Sequence, residues 1–276
     1  MGNLKIGLQL YSVRDDMEKD MYGTLKQVKE MGYDYVEFAG YFGKSAEEVK
    51  AMLDELGLTA ISVHQVHSLF LEEGQPAVDY LKTIGAKYAA IPWMAAEDHK
   101  GAAHYDEVVA GIKKAAELLK DNGIKMLYHN HDFEFKTFED KFLLDWLYET
   151  IPADLLETEI DTCWVKYAGY DPCEYIKKYA GRSPIVHLKD FTCKRFGGGP
   201  AYALIDENGN EIETTREDNG FMFKPVGSGL QDFPAILAAA EEAGATYAIV
   251  EQDQSPEAPA LESAKKSREY LKSIGY

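Results

Sequence analysis

Long apolar runs are missing from this 276-residue sequence. Nowhere do about 18 apolar residues follow one another, as a membrane-spanning helix requires. The opening residues, MGNLKIGLQLYSVRD, also lack the apolar core of a secretory signal. The expectation is a soluble, cytoplasmic protein. Cysteine is scarce: Cys163, Cys173 and Cys193 are odd in number and show no CxxC spacing, which indicates neither a disulfide framework nor a structural zinc site. Basic residues are few, 29 Lys and Arg against 47 Asp and Glu, for a formal net charge of -18. Such a chain repels a phosphate backbone and an anionic membrane surface, so neither nucleic acid nor membrane is expected as a partner. No linker-like tract interrupts the chain before Gly197-Gly198-Gly199-Pro200, and one domain over 1–276 is expected.

What is present is a repeated junction. A helical pattern ends on glycine and a short apolar strand begins about two residues later, in KEMGYDYVEF, DELGLTAISVH, KTIGAKYAAIPW, KDNGIKMLYH and EEAGATYAIVE. Strands are predicted near 4–10, 34–38, 58–64, 87–92, 124–129, 155–161, 184–188 and 246–251. Amphipathic helices are predicted near 20–31, 45–56, 75–84, 103–121, 139–149, 172–180, 231–243 and 257–273. Eight βα alternations predict an α/β fold, a single-domain (β/α)8 TIM barrel. A doubly wound sheet is the rival, weakened because no GxGxxG follows the first strand. The connection after strand seven is too long for the pattern. Its AYALID and EIETT segments flank Asn208-Gly209 and read as a hairpin-containing loop, either a lid over the site or a contact between subunits of a homo-oligomer.

In such a barrel the C-terminal strand ends converge on one pocket. Taken in turn, the last polar or aromatic residues are Gln9, Glu37, His64, Trp93, His129, Asp161, His187 and Glu251. The last four are all metal-ligand types. Two imidazoles and two carboxylates suit one Mn, Co, Zn or Fe ion better than magnesium. Chemistry that fits this set is proton abstraction beside a carbonyl, with the charge stabilised as an enediolate. Glu251 is the candidate base, with Glu134 or Glu37 in reserve should Glu251 serve only as a ligand. Lys189, two residues beyond His187, falls on the same side and is placed to stabilise an oxyanion or protonate a leaving oxygen. Gln9, Glu37, His64 and His131 are candidate contacts to a small-molecule sugar, and Trp93 and Trp164 are candidate stacking surfaces. His67, His99 and His104 are read as solvated loop residues, with His67 the nearest of them to the pocket.

Six segments, GLQLYSVRD, GYDYVEFAG, YHNHDFEF, EIDTCWVKYAGYDP, IVHLKDF and the stretch from Val226 to Leu237, resemble the sugar phosphate isomerase/epimerase group of the xylose isomerase-like TIM barrels. The resemblance runs nearly end to end and implies a divalent metal at the ends of strands five to eight, in the order Glu, Asp, His, Glu. Asp161, His187 and Glu251 match that order, whereas His129 stands where ketose 3-epimerase relatives carry glutamate. Trp164 likewise replaces a histidine found in many relatives, and together with the charge this excludes the DNA-repair branch. The resemblance implies a metal-dependent sugar isomerase or epimerase. The alternative is a lyase eliminating from a keto-sugar, of the inosose dehydratase or 3-keto-glycoside-cleaving type, toward which the missing glutamate tilts. A non-catalytic sugar-binding barrel is a lesser alternative. No arginine cluster marks a phosphate site, and the expected sugar is unphosphorylated.

Overall fold

A computed structural model describes residues 2–197 and 219–276. Eight parallel strands close a barrel: β1 (Lys5–Gln9), β2 (Tyr35–Phe38), β3 (Thr59–His64), β4 (Tyr88–Ile91), β5 (Lys125–His129), β6 (Leu156–Asp161), β7 (Ile185–Leu188) and β8 (Tyr247–Val250). Each pairs with its sequence neighbours, and β1 closes on β8 with Lys5 opposite Tyr247 and Leu8 opposite Val250. Gly57 and Gly85 stop the helices Ala46–Leu56 and Gln75–Ile84 in the left-handed conformation, with φ of 66° and 85°. A side chain with a Cβ would be strained at both positions.

Strand alternation arranges the barrel interior in layers. Ile61, Ala90, Leu127, Ile185, Tyr247 and Ile249 form an apolar plug inside the barrel. Two residues further along the strands the inward positions turn polar: Leu127 is followed by His129, Ile185 by His187, and Ile249 by Glu251. A much larger apolar core lies between the barrel and its helices.

Three details differ from the sequence expectation. A small antiparallel pair, Thr137–Phe138 with Lys141–Phe142, replaces the start of the helix expected from 139, which runs instead over Leu143–Thr150. Short helices at Arg14–Lys19, His67–Glu72 and Thr162–Tyr167 occupy loops that show little periodicity. After β7 the chain forms a strand, Asp190–Thr192, paired antiparallel with Met222–Lys224. The hairpin expected around Asn208-Gly209 lies outside the described residues. Its return is anchored by the buried Asp190 carboxylate, which accepts backbone N–H bonds from Gly227, Gly229 and Gln231 at 3.0, 2.7 and 3.2 Å.

Candidate metal centre and active site

The ends of β5 to β8 carry His129, Asp161, His187 and Glu251 to one place. One donor atom from each lies within 4.8 Å of the others, and all four residues are buried. His129 Nε2 stands 3.3 Å from Asp161 Oδ2 and 3.5 Å from Glu251 Oε2, and His187 Nδ1 is 2.9 Å from Glu251 Oε2. His129 Nε2 and Asp161 Oδ2 are both buried and turned toward one another within the cluster. An imidazole nitrogen and a carboxylate oxygen facing the same buried space are donor types that fit a shared cation. The other oxygen of Asp161 is occupied: Oδ1 accepts from the Cys163 and Trp164 N–H groups at 2.8 and 3.3 Å, capping the helix Thr162–Tyr167. That cap fixes the carboxylate with Oδ2 turned to the cluster.

Lys189 is 1% exposed and its ammonium joins the same carboxylates, 3.0 Å from Asp161 Oδ2, 2.9 Å from Glu251 Oε2 and 3.0 Å from Asp253 Oδ1. Burial would raise the pKa of Glu251, but Lys189 and the two histidines outweigh it and hold the carboxyl well below its usual range. Burial likewise opposes charge on His129, yet hydrogen bonding to Asp161 and Glu251 pushes it up to about 9. His131 is held well below the ordinary imidazole value by burial and by the positive charges of His129 and Lys189, and is neutral at physiological pH.

A second polar layer lies beneath. His187 Nε2 is 2.8 Å from Glu37 Oε2 and 3.1 Å from Glu159 Oε1, so its two nitrogens face opposite ways, Nδ1 toward the donor cluster and Nε2 into this layer. His64 Nε2 is 2.7 Å from Glu159 Oε1, and Gln9 Nε2 donates to Glu37 Oε2 at 2.9 Å. Such outer partners orient a ligating imidazole and set its tautomer. Glu159 is absent from the expected site. The signal for it was the alternation Glu157, Glu159, Asp161 in LETEID, which turns a carboxylate inward two residues before the strand end.

The barrel mouth opens into a cavity of about 830 Å³. Its wall includes His64, Trp93, His129, His131, Lys189 and Glu251, together with Asp253 and His99, which were not among the expected site residues. Several expectations need correction. Gln9 and Glu37 are fully buried and off the wall, so they serve the layer beneath and do not contact a sugar. Trp164 is also fully buried, packed with Tyr167, Phe191, Phe221 and Phe223, and offers no free face for stacking. Glu134 is fully buried away from the wall, accepting from the Tyr128 hydroxyl at 2.5 Å and the His131 N–H at 2.7 Å, and cannot reach a substrate proton. Among the loop histidines it is His99, 4% exposed, that reaches the cavity, and not His67.

The family described as Xylose isomerase-like TIM barrel matches residues 25–274. Among curated proteins, the inosose dehydratase of Geobacillus kaustophilus is 28% identical over 274 residues, covering 90% of this chain and 85% of its own. Of the solved structures, a sugar phosphate isomerase/epimerase from Parabacteroides distasonis superposes with a TM-score of 0.75 at 23% identity, covering 100% of this chain and 96% of that one. An IOLI protein with a bound zinc atom superposes with a TM-score of 0.70 at 17% identity, covering 98% of each chain. At those identities the two structures share the fold.

Proposed function

The chain belongs to the xylose isomerase-like TIM barrel family, and from that premise we propose that it is a divalent-metal-dependent lyase, removing a β-leaving group from an unphosphorylated keto-sugar or keto-cyclitol. That it is an enzyme follows from its relatives; the choice of elimination is supported by the inosose dehydratases among them and by the distribution of acids on the cavity wall. Glu251 and Asp253 both come from the end of β8, whereas the β5 side presents the imidazoles of His129 and His131; the third acid of the wall, Glu97, is an exposed residue of the loop after β4. Epimerisation with two carboxylate bases needs one on each face of the carbon; elimination needs one base and one acid. The isomerase expectation, ranked first from sequence, gives way to its alternative on this ground.

His129, Asp161, His187 and Glu251 are the residues that would hold the metal, and an N₂O₂ set of this kind suits Mn, Co, Zn or Fe. When bound, the metal supplies Lewis-acid polarisation of the substrate oxygens. The Glu251 carboxylate, kept ionised, takes the proton from the carbon next to the carbonyl. The electron pair left behind forms the carbon–carbon double bond as the β-oxygen departs with its bonding electrons. Lys189, 2.9 Å from Glu251, returns a proton to that oxygen. Asp253, 3.0 Å from the same ammonium, holds Lys189 in place. The cavity wall carries no arginine among the described residues, in keeping with an unphosphorylated substrate.

The test is incubation of the Mn²⁺-reconstituted protein with inosose, following the near-ultraviolet absorbance of the unsaturated ketone. Glu251→Gln should lower the rate by about 10²–10⁴-fold with the fold intact. Exchange of the substrate C–H with D₂O without an absorbing product would restore the isomerase reading.

A further inference from the structure

A lysine has three N–H donors at the end of a flexible four-carbon stem. In Lys189 the head is met by oxygens of Asp161, Glu251 and Asp253 at 3.0, 2.9 and 3.0 Å. The stem still has many rotamers, which only packing can narrow to one. Two rings are placed to do this. The ammonium lies 5.1 Å from the ring centre of Trp164 and 5.9 Å from that of Phe223, and the rings meet edge to face, 5.7 Å apart at 86°. They form a corner around the ammonium. An aromatic face attracts a cation, most strongly where water is excluded, and Lys189 is buried. Neither ring lies on the cavity wall, so the corner acts on Lys189 from behind.

Trp164 is itself held from several directions. Its backbone N–H donates to Asp161 Oδ1 at 3.3 Å, at the start of the helix Thr162–Tyr167. Phe221 stacks with the indole at 5.6 Å and 13°, and His131 at 5.6 Å and 24°. His131 stacks in turn with Phe133 of the cavity wall, 5.2 Å away at 7°. Phe223 belongs to the strand Met222–Lys224, which pairs with Asp190–Thr192 immediately after Lys189, and Phe221 precedes that strand. Both described ends of the excursion after β7 therefore close on the ring beside the ammonium.

We propose that Trp164 is the positioning residue of the proton donor: with Phe223 it holds the Lys189 ammonium in the rotamer from which a proton reaches the departing oxygen, touching neither substrate nor metal itself. The proposal rests on the elimination reading, in which Glu251 takes the proton from carbon and Lys189 protonates the leaving oxygen. Trp164 serves the second transfer alone. Glu251 has its own support in His187 Nδ1, 2.9 Å away, so proton abstraction survives a change at the indole.

The first test incubates the Mn²⁺-reconstituted full chain with inosose in D₂O and compares formation of the unsaturated ketone with C–H exchange. Trp164→Met keeps apolar bulk and removes the aromatic face. Product formation should fall about tenfold with exchange within about twofold of wild type, and Trp164→Phe should recover most of the loss. Equal slowing of the two, or an unchanged product rate in Trp164→Met, would overturn the proposal. Phe223→Leu, a smaller change to the same corner, should shift the ratio in the same direction by about threefold. If Trp164→Met does not fold, an unchanged ratio in Phe223→Leu overturns the proposal instead.

The second test needs no turnover. In the full chain labelled with ¹⁵N-lysine, the Lys189 ammonium is assigned by its absence from Lys189→Met. Its NMR signal should be resolved and in slow exchange with water in the wild type and in Trp164→Phe, and lost to exchange in Trp164→Met. A missing signal in the wild type, or a persistent one in Trp164→Met, would count against the indole as its support. Wild-type exchange without an absorbing product, alongside the expected NMR pattern, would remove the elimination chemistry alone. Normal elimination with ratio and signal both unchanged in Trp164→Met would remove the positioning role alone.

Discussion

Replacing Lys189 by Met tests the balance of charge at the barrel mouth. The ammonium is 1% exposed and within 2.9–3.0 Å of oxygens from Asp161, Glu251 and Asp253. At an effective dielectric of about 20, each contact at that distance is worth about 5 kcal/mol of Coulomb energy before desolvation is subtracted. Removing one partner from a buried ion pair costs about 3–5 kcal/mol, because the remaining charge stays buried and uncompensated. Met keeps the stem packed against Trp164 and Phe223, whose rings lie 5.1 and 5.9 Å from the ammonium, so the loss is electrostatic. At about 2–4 °C per kcal/mol for a chain of this size, the variant in EDTA at pH 8 should melt about 10 °C below the wild type. A divalent ion held by His129, Asp161, His187 and Glu251 would supply the missing positive charge. Saturating Mn²⁺ should therefore recover more than half of the deficit and stabilise the variant more than the wild type. Differential scanning calorimetry with EDTA and with Mn²⁺ reads both effects. A deficit under about 3 °C in EDTA, or an equal metal-induced shift in the two proteins, would refute the reasoning.

Asp161→Asn retains the oxygen that caps the helix Thr162–Tyr167 and loses the charged one, so folding should persist while metal affinity drops at least about 100-fold, read by elemental analysis after dialysis. Burial raises Glu134 from 4.5 to about 7, which makes the folded state the better proton binder. Its contribution to stability is full below pH 4.5 and lost as the pH rises through about 7; the stability difference between wild type and Glu134→Gln should shift by about 3 kcal/mol in favour of the variant over that window. Urea titrations at pH 4.5 and pH 8 measure it, and a constant difference would contradict it. Gly229→Ala would bring a Cβ within 2.3 Å of Asp190 Oδ1 and 2.4 Å of the Phe191 carbonyl oxygen, so the anchored loop must shift. A loss of about 3 kcal/mol in the same assay is expected, and a neutral result would show that the loop yields freely.

The barrel was legible because each strand is a short apolar run between a glycine-terminated helix and a polar end, and a closed eight-stranded barrel accommodates that order directly. His129, Asp161, His187 and Glu251 were legible for the same reason: they end neighbouring strands, and neighbouring ends converge. Depth was not legible. Gln9 and Glu37 also end strands, but they sit in the layer beneath the mouth, and nothing in a one-dimensional pattern separates a residue that reaches the cavity from one that supports His187 from below. Trp164 was misplaced because Asp161 caps the helix that follows it, turning the indole into the cluster with Tyr167 and Phe191. His99 was missed because its place depends on the path of the loop after β4, which carries no periodicity to read.

The reaction itself depends on a finer distinction than the ligand set. Isomerisation and elimination both begin with the same proton abstraction, so a metal with one carboxylate base fits either. They part at the next proton transfer, to carbon in one case and to a departing oxygen in the other. The residue we propose for that transfer is Lys189, the second residue after His187 in the sequence and, in the structure, held between Glu251 and Asp253. In the proposed reaction, a Lys189 ammonium held by Glu251 and Asp253 would set proton donor and base on the β8 side of the cavity, across from the imidazoles of β5. That geometry favours removing a proton and a leaving group over returning the proton to the opposite face. The comparison to make is therefore between rates in one variant. Lys189→Met should slow product formation far more than C–H exchange with D₂O, and equal slowing of the two would place Lys189 in proton abstraction instead.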